Sequence, residues 1–352
     1  MISSPMVTNH LIDTAEKPGR LQDIMYSCNN VVRKCLDVQP GATVLIVTDT
    51  EVSPLVYHAM AASVHSAGGI PVISMMRPLP HANAEPPAAI SAAMLESDIT
   101  IALVSKSITH TRAREIATQD HKKRYMLIPA VTEDMLMRGA STADFDLVRE
   151  ISRALSKKLS AGKTVRLTCD NGSDLSISIE GRPFKAYYGE CLKPGEVSLF
   201  PGGEVNTFPV EESVNGRVVF DSFMMGVGLL DQPITVNFEQ GLATSITGGR
   251  EADQLRRLLE STNSPDAFRF GEFAVGTNYK ARTLGSAFED KEVYGTVHIA
   301  LGSGVAWPKY YKPKYHVPIH LDGVLSSPTV AVDGEVVVTK RRILVAATPP
   351  GM

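Results

Sequence analysis

His320 and Asp322 stand two apart in the run HVPIHLDGVLSSPTVAVDG, a spacing that puts both side chains on one face of an extended strand, where they can share an ion. An imidazole beside a carboxylate is a borderline-to-hard donor set suited to zinc, manganese or Fe(II). On spacing alone, a surface His-x-Asp pair is the plainer reading. His298 changes the weighing, because it sits inside the apolar run YGTVHIALGSG, where a neutral imidazole is costly unless hydrogen-bonded or bound to a metal. A satisfied core histidine would account for it in isolation. With His320 and Asp322, however, it completes two imidazoles and a carboxylate, a set that leaves positions on a metal open for substrate or oxygen. Glu204, in LFPGGEVNTFPVEES, follows two glycines that let the backbone turn tightly and aim a carboxylate inward. Glu272, in FRFGEFAVGTN, is also preceded by glycine and leads into an apolar run. Either could be a surface charge at a strand end; buried, each needs a partner, and a dication is the strongest available.

Strands must carry these donors, and strand-like alternation dominates from Thr164 onward: VRLTCD, LSISIE, RVVFD, ITVNFE, TVAVD and EVVVTKRRILVA. The pairs Asn171-Gly172, Asn215-Gly216 and Asp333-Gly334 read as turns between them. A C-terminal α+β domain over residues 162–352, with mostly antiparallel strands carrying the metal site, is therefore expected. Residues 1–161 read differently, as an N-terminal α/β domain with a leading helix over Leu21–Leu36. ATVLIVTD, IPVISMM, ITIALVS and RYMLIPAV are short apolar runs separated by helix-compatible segments, the pattern of a parallel sheet buried on both faces. A long helical segment from Thr132 to about Ala161 closes this half. The first strand runs into Thr48-Asp49-Thr50-Glu51, where a dinucleotide site needs a glycine-rich turn and an acidic one would repel a pyrophosphate. No nucleotide cofactor is expected.

Hydrophobic content of 43% and charged content of 21% are those of an ordinary globular protein rather than a disordered one. A formal charge of -3 with scattered Lys and Arg offers no field for nucleic acid. Met1 to Leu21 lacks the basic start and unbroken apolar run of a secretory signal, and no stretch reaches the length of a membrane span. The chain is thus expected in the cytoplasm, without a membrane partner. Cys28, Cys35, Cys169 and Cys191 stand far apart, against both a disulfide framework and a thiolate zinc site.

The blocks FPGGEVNTFPVEESVNGRVVFD, GEFAVGTN, GTVHIALG and HLDG, with a later VDGE, occur in the same order as in the M29 family of metallo-aminopeptidases, which the chain resembles from about Ser105 to Val338. SKSITHTRAREIA and IPAVTEDMLMR add to the likeness. The resemblance implies that Glu204, Glu272, His298, His320 and Asp322 ligate one or two divalent ions (Zn, Mn or Co). It also implies a small-molecule or short-peptide substrate and a homodimer. The expected chemistry is amide hydrolysis by metal-activated water, with Glu272 or Glu292 as the base. The same superfamily includes iron-dependent 2,5-dihydroxypyridine 5,6-dioxygenases, similar to this chain at YGTVHI and HLD; these imply one Fe(II) on His298, His320 and Asp322 alone. Retention of both glutamates favours the hydrolase. Two positions depart from the aminopeptidase pattern: Val293 replaces an acidic residue five positions before His298, and Val305 replaces a catalytic tyrosine, for which Tyr310 or Tyr311 would have to substitute. A binding protein that kept the fold and lost the chemistry is a third reading, against which all five donors count.

Overall fold

A computed structural model of the chain describes residues 20–286, 288–304, 314–315 and 317–351. Its first lobe is built on a parallel sheet in the order Ile70–Met76, Thr43–Asp49, Ile99–Val104, Arg124–Pro129 and Val197–Leu199. Alternation along the second of these strands explains the layering. Val44 and Ile46 join Val56, Met60 and Val64 of the helix Pro54–Ser66 in one core, whereas Leu45 and Val47 join Ile90 and Met94 of the helix Ala88–Glu96 in another. Both faces are covered, which is what continuous apolar strands require. The leading helix Arg20–Asn29, continued by a π-helical segment Asn30–Cys35, buries Ile24, Cys28 and Val31 in the first of these cores.

The acidic turn after the first strand braces its neighbours. Asp49 accepts hydrogen bonds from the backbone N–H and hydroxyl of Ser105, at 2.7 and 2.9 Å. The segment expected as one helix from Thr132 to Ala161 is divided into Glu133–Met137, a 3-10 turn Gly139–Thr142 and the helix Phe145–Ser160. Gly139 adopts φ +72, which breaks the first helix. Asp144 caps the last one by accepting from the backbone N–H of Asp146.

The second half forms two sheets of antiparallel strands. The outer one has the order Leu242–Thr247, Ile234–Glu239, Asn215–Phe220, Asp174–Ser178, Thr164–Thr168, Thr329–Val332, Glu335–Thr339 and Arg342–Ile343. Asn215-Gly216 is not a turn here: both residues lie in a strand, and Gly216 pairs with Phe238 and Leu175. A Cβ on Gly216 would fall 2.2 Å from the carbonyl oxygen of Asp174, so the glycine permits a close strand approach. The central sheet has the order Gly228–Leu229, Phe223–Met224, His320–Leu325, Val297–Gly302, Phe270–Gly276, Glu204–Thr207 and Lys185–Tyr187. Val205, Phe273, Val275, Val297, Ile299, Leu301, Leu321 and Leu325 point from it into the core shared with the outer sheet. No helix among the described residues is long and apolar enough to cross a membrane.

Asn278 joins the lobes. Its buried amide nitrogen donates to the carbonyls of Ala140, at 3.1 Å, and Gly202, at 2.9 Å. Asn278→Ala would leave the Gly202 carbonyl without this donor, at about 1–3 kcal/mol for an unsatisfied buried group, while the Ala140 carbonyl still accepts from Ala143 N at 3.3 Å. The expected loss is roughly 1–3 kcal/mol of unfolding free energy, read from urea denaturation; an unchanged midpoint would show that the clasp carries no stability.

Candidate metal centre

Because side chains alternate along a strand, the residues between those facing the core must share the opposite face, toward the first lobe. Strand register specifies their arrangement. Asp322 lies opposite Ala300, and Ala300 opposite Glu272; His298 lies opposite Val324 on one side and Ala274 on the other, and Ala274 opposite Asn206. Glu204 pairs with Gly276, and His320 with Gly302. Alanine and glycine thus separate the donors and leave room above them. Glu204 follows Gly202 and Gly203, where the chain is too crowded for side chains: a Cβ on Gly202 would lie 2.2 Å from Gly189 N, and one on Gly203 2.4 Å from Asn278 Cβ.

All five expected donors come to this face, but they are divided. Glu204, Glu272 and His298 form one cluster and Glu272, His320 and Asp322 a second, the donor atoms of each lying within 4.8 Å of one another. Glu272 belongs to both. The triad of His298, His320 and Asp322 is not gathered as a set, because His298 lies in the row of Asn206, not in that of Asp322, and aims Nε2 to within 3.5 Å of Glu204 Oε2. His320 Nε2 lies 3.1 Å from both Glu272 Oε2 and Asp322 Oδ1. Its Nδ1 lies 2.7 Å from the carbonyl oxygen of Ser303. A carbonyl can only accept, so Nδ1 carries the proton, and a neutral ring then presents Nε2 as a ligand.

Glu204, Glu272, His298, Asp322 and Glu292 are buried. Burial alone would lift the Glu272 carboxyl, but the hydrogen bond and charge of His320 hold it below the ordinary range. Asp322 is likewise held well down despite burial, chiefly by His320 and Lys291. Burial would lower His320, yet Asp322 and Glu272 raise it well above the usual imidazole value. Glu292 behaves oppositely: burial, then the charges of Glu204, Asp322 and Glu272, push its carboxyl well above the carboxylate range against the pull of Lys291. Both ring nitrogens of His298 and Glu292 Oε2 are buried with no hydrogen-bond partner among the described residues, whereas the buried Glu204 Oε2 and Asp322 Oδ1 each face a cationic or imidazole nitrogen at 3.1 Å. Buried polar atoms are rarely left so. Carboxylate and imidazole donors converging in this way fit a divalent ion.

Several residues at the site were not anticipated. Asn206 donates to Glu204 Oε1 at 3.1 Å and Glu272 Oε1 at 2.5 Å; its place two residues from Glu204 was the available signal. Lys291, on the short turn Asp290–Glu292, puts Nζ 3.1 Å from Glu204 Oε2. Thr109 and His110 arrive from the first lobe and, with Pro129, line a cavity of about 310 Å³ over the carboxylates. Phe200, Phe208, Phe288 and Tyr187 supply aromatic walls. His110 is set by its backbone N–H, which donates to Asn83 Oδ1 at 3.0 Å. Its pKa is lowered by burial, then by Arg114, with Glu115 opposing and His320 adding to the shift. Tyr310, Tyr311 and Val305 lie outside the described residues.

The family model NicX, 2,5-dihydroxypyridine 5,6-dioxygenase, matches residues 23–345. A 2,5-dihydroxypyridine 5,6-dioxygenase of Pseudomonas putida is 26% identical over 197 residues, 51% of this chain and 54% of that protein. That alignment spans about half of the relative's length. The structure of 2,5-dihydroxypyridine dioxygenase from Pseudomonas putida superposes with a TM-score of 0.77 at 18% identity, covering 94% of this chain and 98% of that one. Wild-type AmpT from Thermus thermophilus superposes with a TM-score of 0.65 at 17% identity, covering 92% and 99%. At such identities the two structures speak to fold alone. The family match and the sequence relative overturn the expected amide hydrolase, aminopeptidase and metalloprotease chemistry. The two glutamates do not decide the matter, because carboxylate donors suit the metals of either chemistry.

Proposed function

Because the chain belongs to the 2,5-dihydroxypyridine 5,6-dioxygenase family, we propose that it is a metal-dependent dioxygenase that opens the ring of a dihydroxylated pyridine. The observation that carries this reading is the cluster of Glu272, His320 and Asp322 at the base of an aromatic-walled cavity. Of the two clusters, this is the one whose members all border that cavity; His298 is fully buried and is not among the lining residues. One imidazole and two carboxylates form an oxygen-rich set that suits Fe(II) or Mn(II). Bound there, Fe(II) would supply the one-electron chemistry that lets a singlet aromatic ring react with triplet oxygen.

The remaining work belongs to the protein. Phe200, Phe208 and Phe288 border a space that suits a flat ring and excludes water from it. Asn206 holds Glu204 and Glu272 in fixed orientation through its amide, and Ser303 orients His320. His110, its pKa lowered below the usual imidazole value, is neutral at pH 7 and accepts the proton of a substrate hydroxyl across the cavity. Glu292, whose carboxyl burial and neighbouring carboxylates push well above the ordinary range, can donate its proton, when it carries one, to an oxygen or ring nitrogen on the same side.

Anaerobic loading with Fe(II), followed by addition of 2,5-dihydroxypyridine and air-saturated buffer, tests the reading. Equimolar loss of oxygen and of the ring's ultraviolet absorbance is expected. Iron-loaded protein that consumes no oxygen above the free-iron control rejects it.

A further inference from the structure

Lys291 places a positive charge inside the carboxylate cluster. Its Nζ lies 3.1 Å from Glu204 Oε2 and 3.9 Å from Asp322 Oδ2, while His298 Nε2 approaches the same Glu204 oxygen at 3.5 Å. We propose that Lys291 is a built-in counter-ion that stands in for a second metal, so that the centre binds a single ion at Glu272, His320 and Asp322 while Glu204 serves the ammonium. The inference rests on the metal position proposed above.

Two triads sharing Glu272 would, on donor type alone, accept two ions. A dication held by Glu204, Glu272 and His298 would have to stand against Glu204, whose Oε2 is the atom that the ammonium contacts. Like charges that close, in a site largely shielded from water, exclude one another. The lysine is also firmly delivered. Asp290 accepts from the backbone N–H groups of Leu284, Gly285 and Ser286, at 2.7 to 3.2 Å. The carbonyl of Glu292 accepts from Asn278 N at 2.9 Å, and Asn278 is itself clasped between the lobes. The turn bearing Lys291 is thereby fixed at both ends. A lysine is a compact point charge on an unbranched stem, a shape suited to a position otherwise sized for an ion.

Equilibrium dialysis of chelator-stripped protein against Mn(II), with elemental analysis, reads this directly. Wild-type protein is expected to hold one ion per chain. Lys291→Met should take up a second ion, with circular dichroism confirming its fold, and Glu204→Gln should keep the first, since Glu204 pairs with the lysine rather than the metal. Two ions in the wild type, a folded Lys291→Met that still holds one, or loss of the ion from Glu204→Gln overturns the assignment; if Lys291→Met does not fold, the wild-type count and Glu204→Gln decide it. Oxygen uptake separates this inference from the one beneath it. A single-ion protein without dioxygenase activity rejects the proposed function alone, whereas an active dioxygenase that fails the ion count rejects only the role of Lys291.

Discussion

Glu272→Gln is expected to release the bound metal and, with it, turnover. Glu272 is the carboxylate common to both donor clusters, and its Oε2 lies 3.1 Å from His320 Nε2. The substitution preserves shape but removes the negative charge, and the amide nitrogen it can present is a donor where a ligand must be an acceptor. Removing one partner from a buried charged pair costs about 3–5 kcal/mol, which corresponds to a loss in metal affinity of about 10²- to 4 × 10³-fold. Competition with a metal-binding dye, alongside elemental analysis after dialysis, measures it. A Glu272→Gln protein with wild-type affinity for Mn(II) would remove Glu272 from the ligand set. Because Glu204→Gln is expected to retain its ion, the two glutamates, indistinguishable in composition, separate in one experiment.

The second large effect lies in the other lobe. His110→Gln should leave metal content intact while lowering kcat by about 10²- to 10⁴-fold, the range for a positioned acid–base group. The sign of the pH dependence follows from the environment. His110 acts while neutral, and burial followed by the charge of Arg114 lowers its pKa below the ordinary imidazole value. Activity of the wild type is therefore full at neutral pH and falls as the pH drops through a point below about 6.5, where the ring takes up a proton. That acid limb should vanish in His110→Gln. Unchanged kcat, or an unchanged limb, would mean that the imidazole merely lines the cavity.

The five expected donors were legible because period-two spacing and apolar surroundings are local properties. His320 and Asp322 share a face on any extended strand, and the glycines before Glu204 signal the tight approach seen at Gly189 and Asn278. How the donors divide between two clusters was not legible. That depends on register across strands joined by long connections, and here it puts His298 beside Ala274 and Asp322 beside Ala300. His110 and Lys291 carried no signal, since neither has a periodic relation to the donors and tertiary packing alone brings them to the cavity. Fold class followed the same division. Continuous apolar runs predict the parallel sheet, whereas Gly139 at φ +72 interrupts a helix that amphipathic spacing would continue. Chemistry was the hardest to read, because carboxylate and imidazole donors at these spacings suit a hydrolytic and an oxidative metal centre alike.

The short strand Val197–Leu199 pairs in parallel with Arg124–Pro129 and leads through Phe200 to Gly203 directly into the strand that begins with Glu204. The peptide presenting that carboxylate is therefore anchored in the first sheet at one end and in the central sheet at the other. A swing of the lobes about one connection, the usual mechanics of cleft-closing enzymes, would have to pull this strand out of its sheet. Entry to the cavity is therefore expected through rearrangement at its rim rather than through a swing about a single hinge. By the same threading, a chain ending at residue 161 would lack Val197–Leu199 and expose Arg124–Pro129 as an unpaired edge.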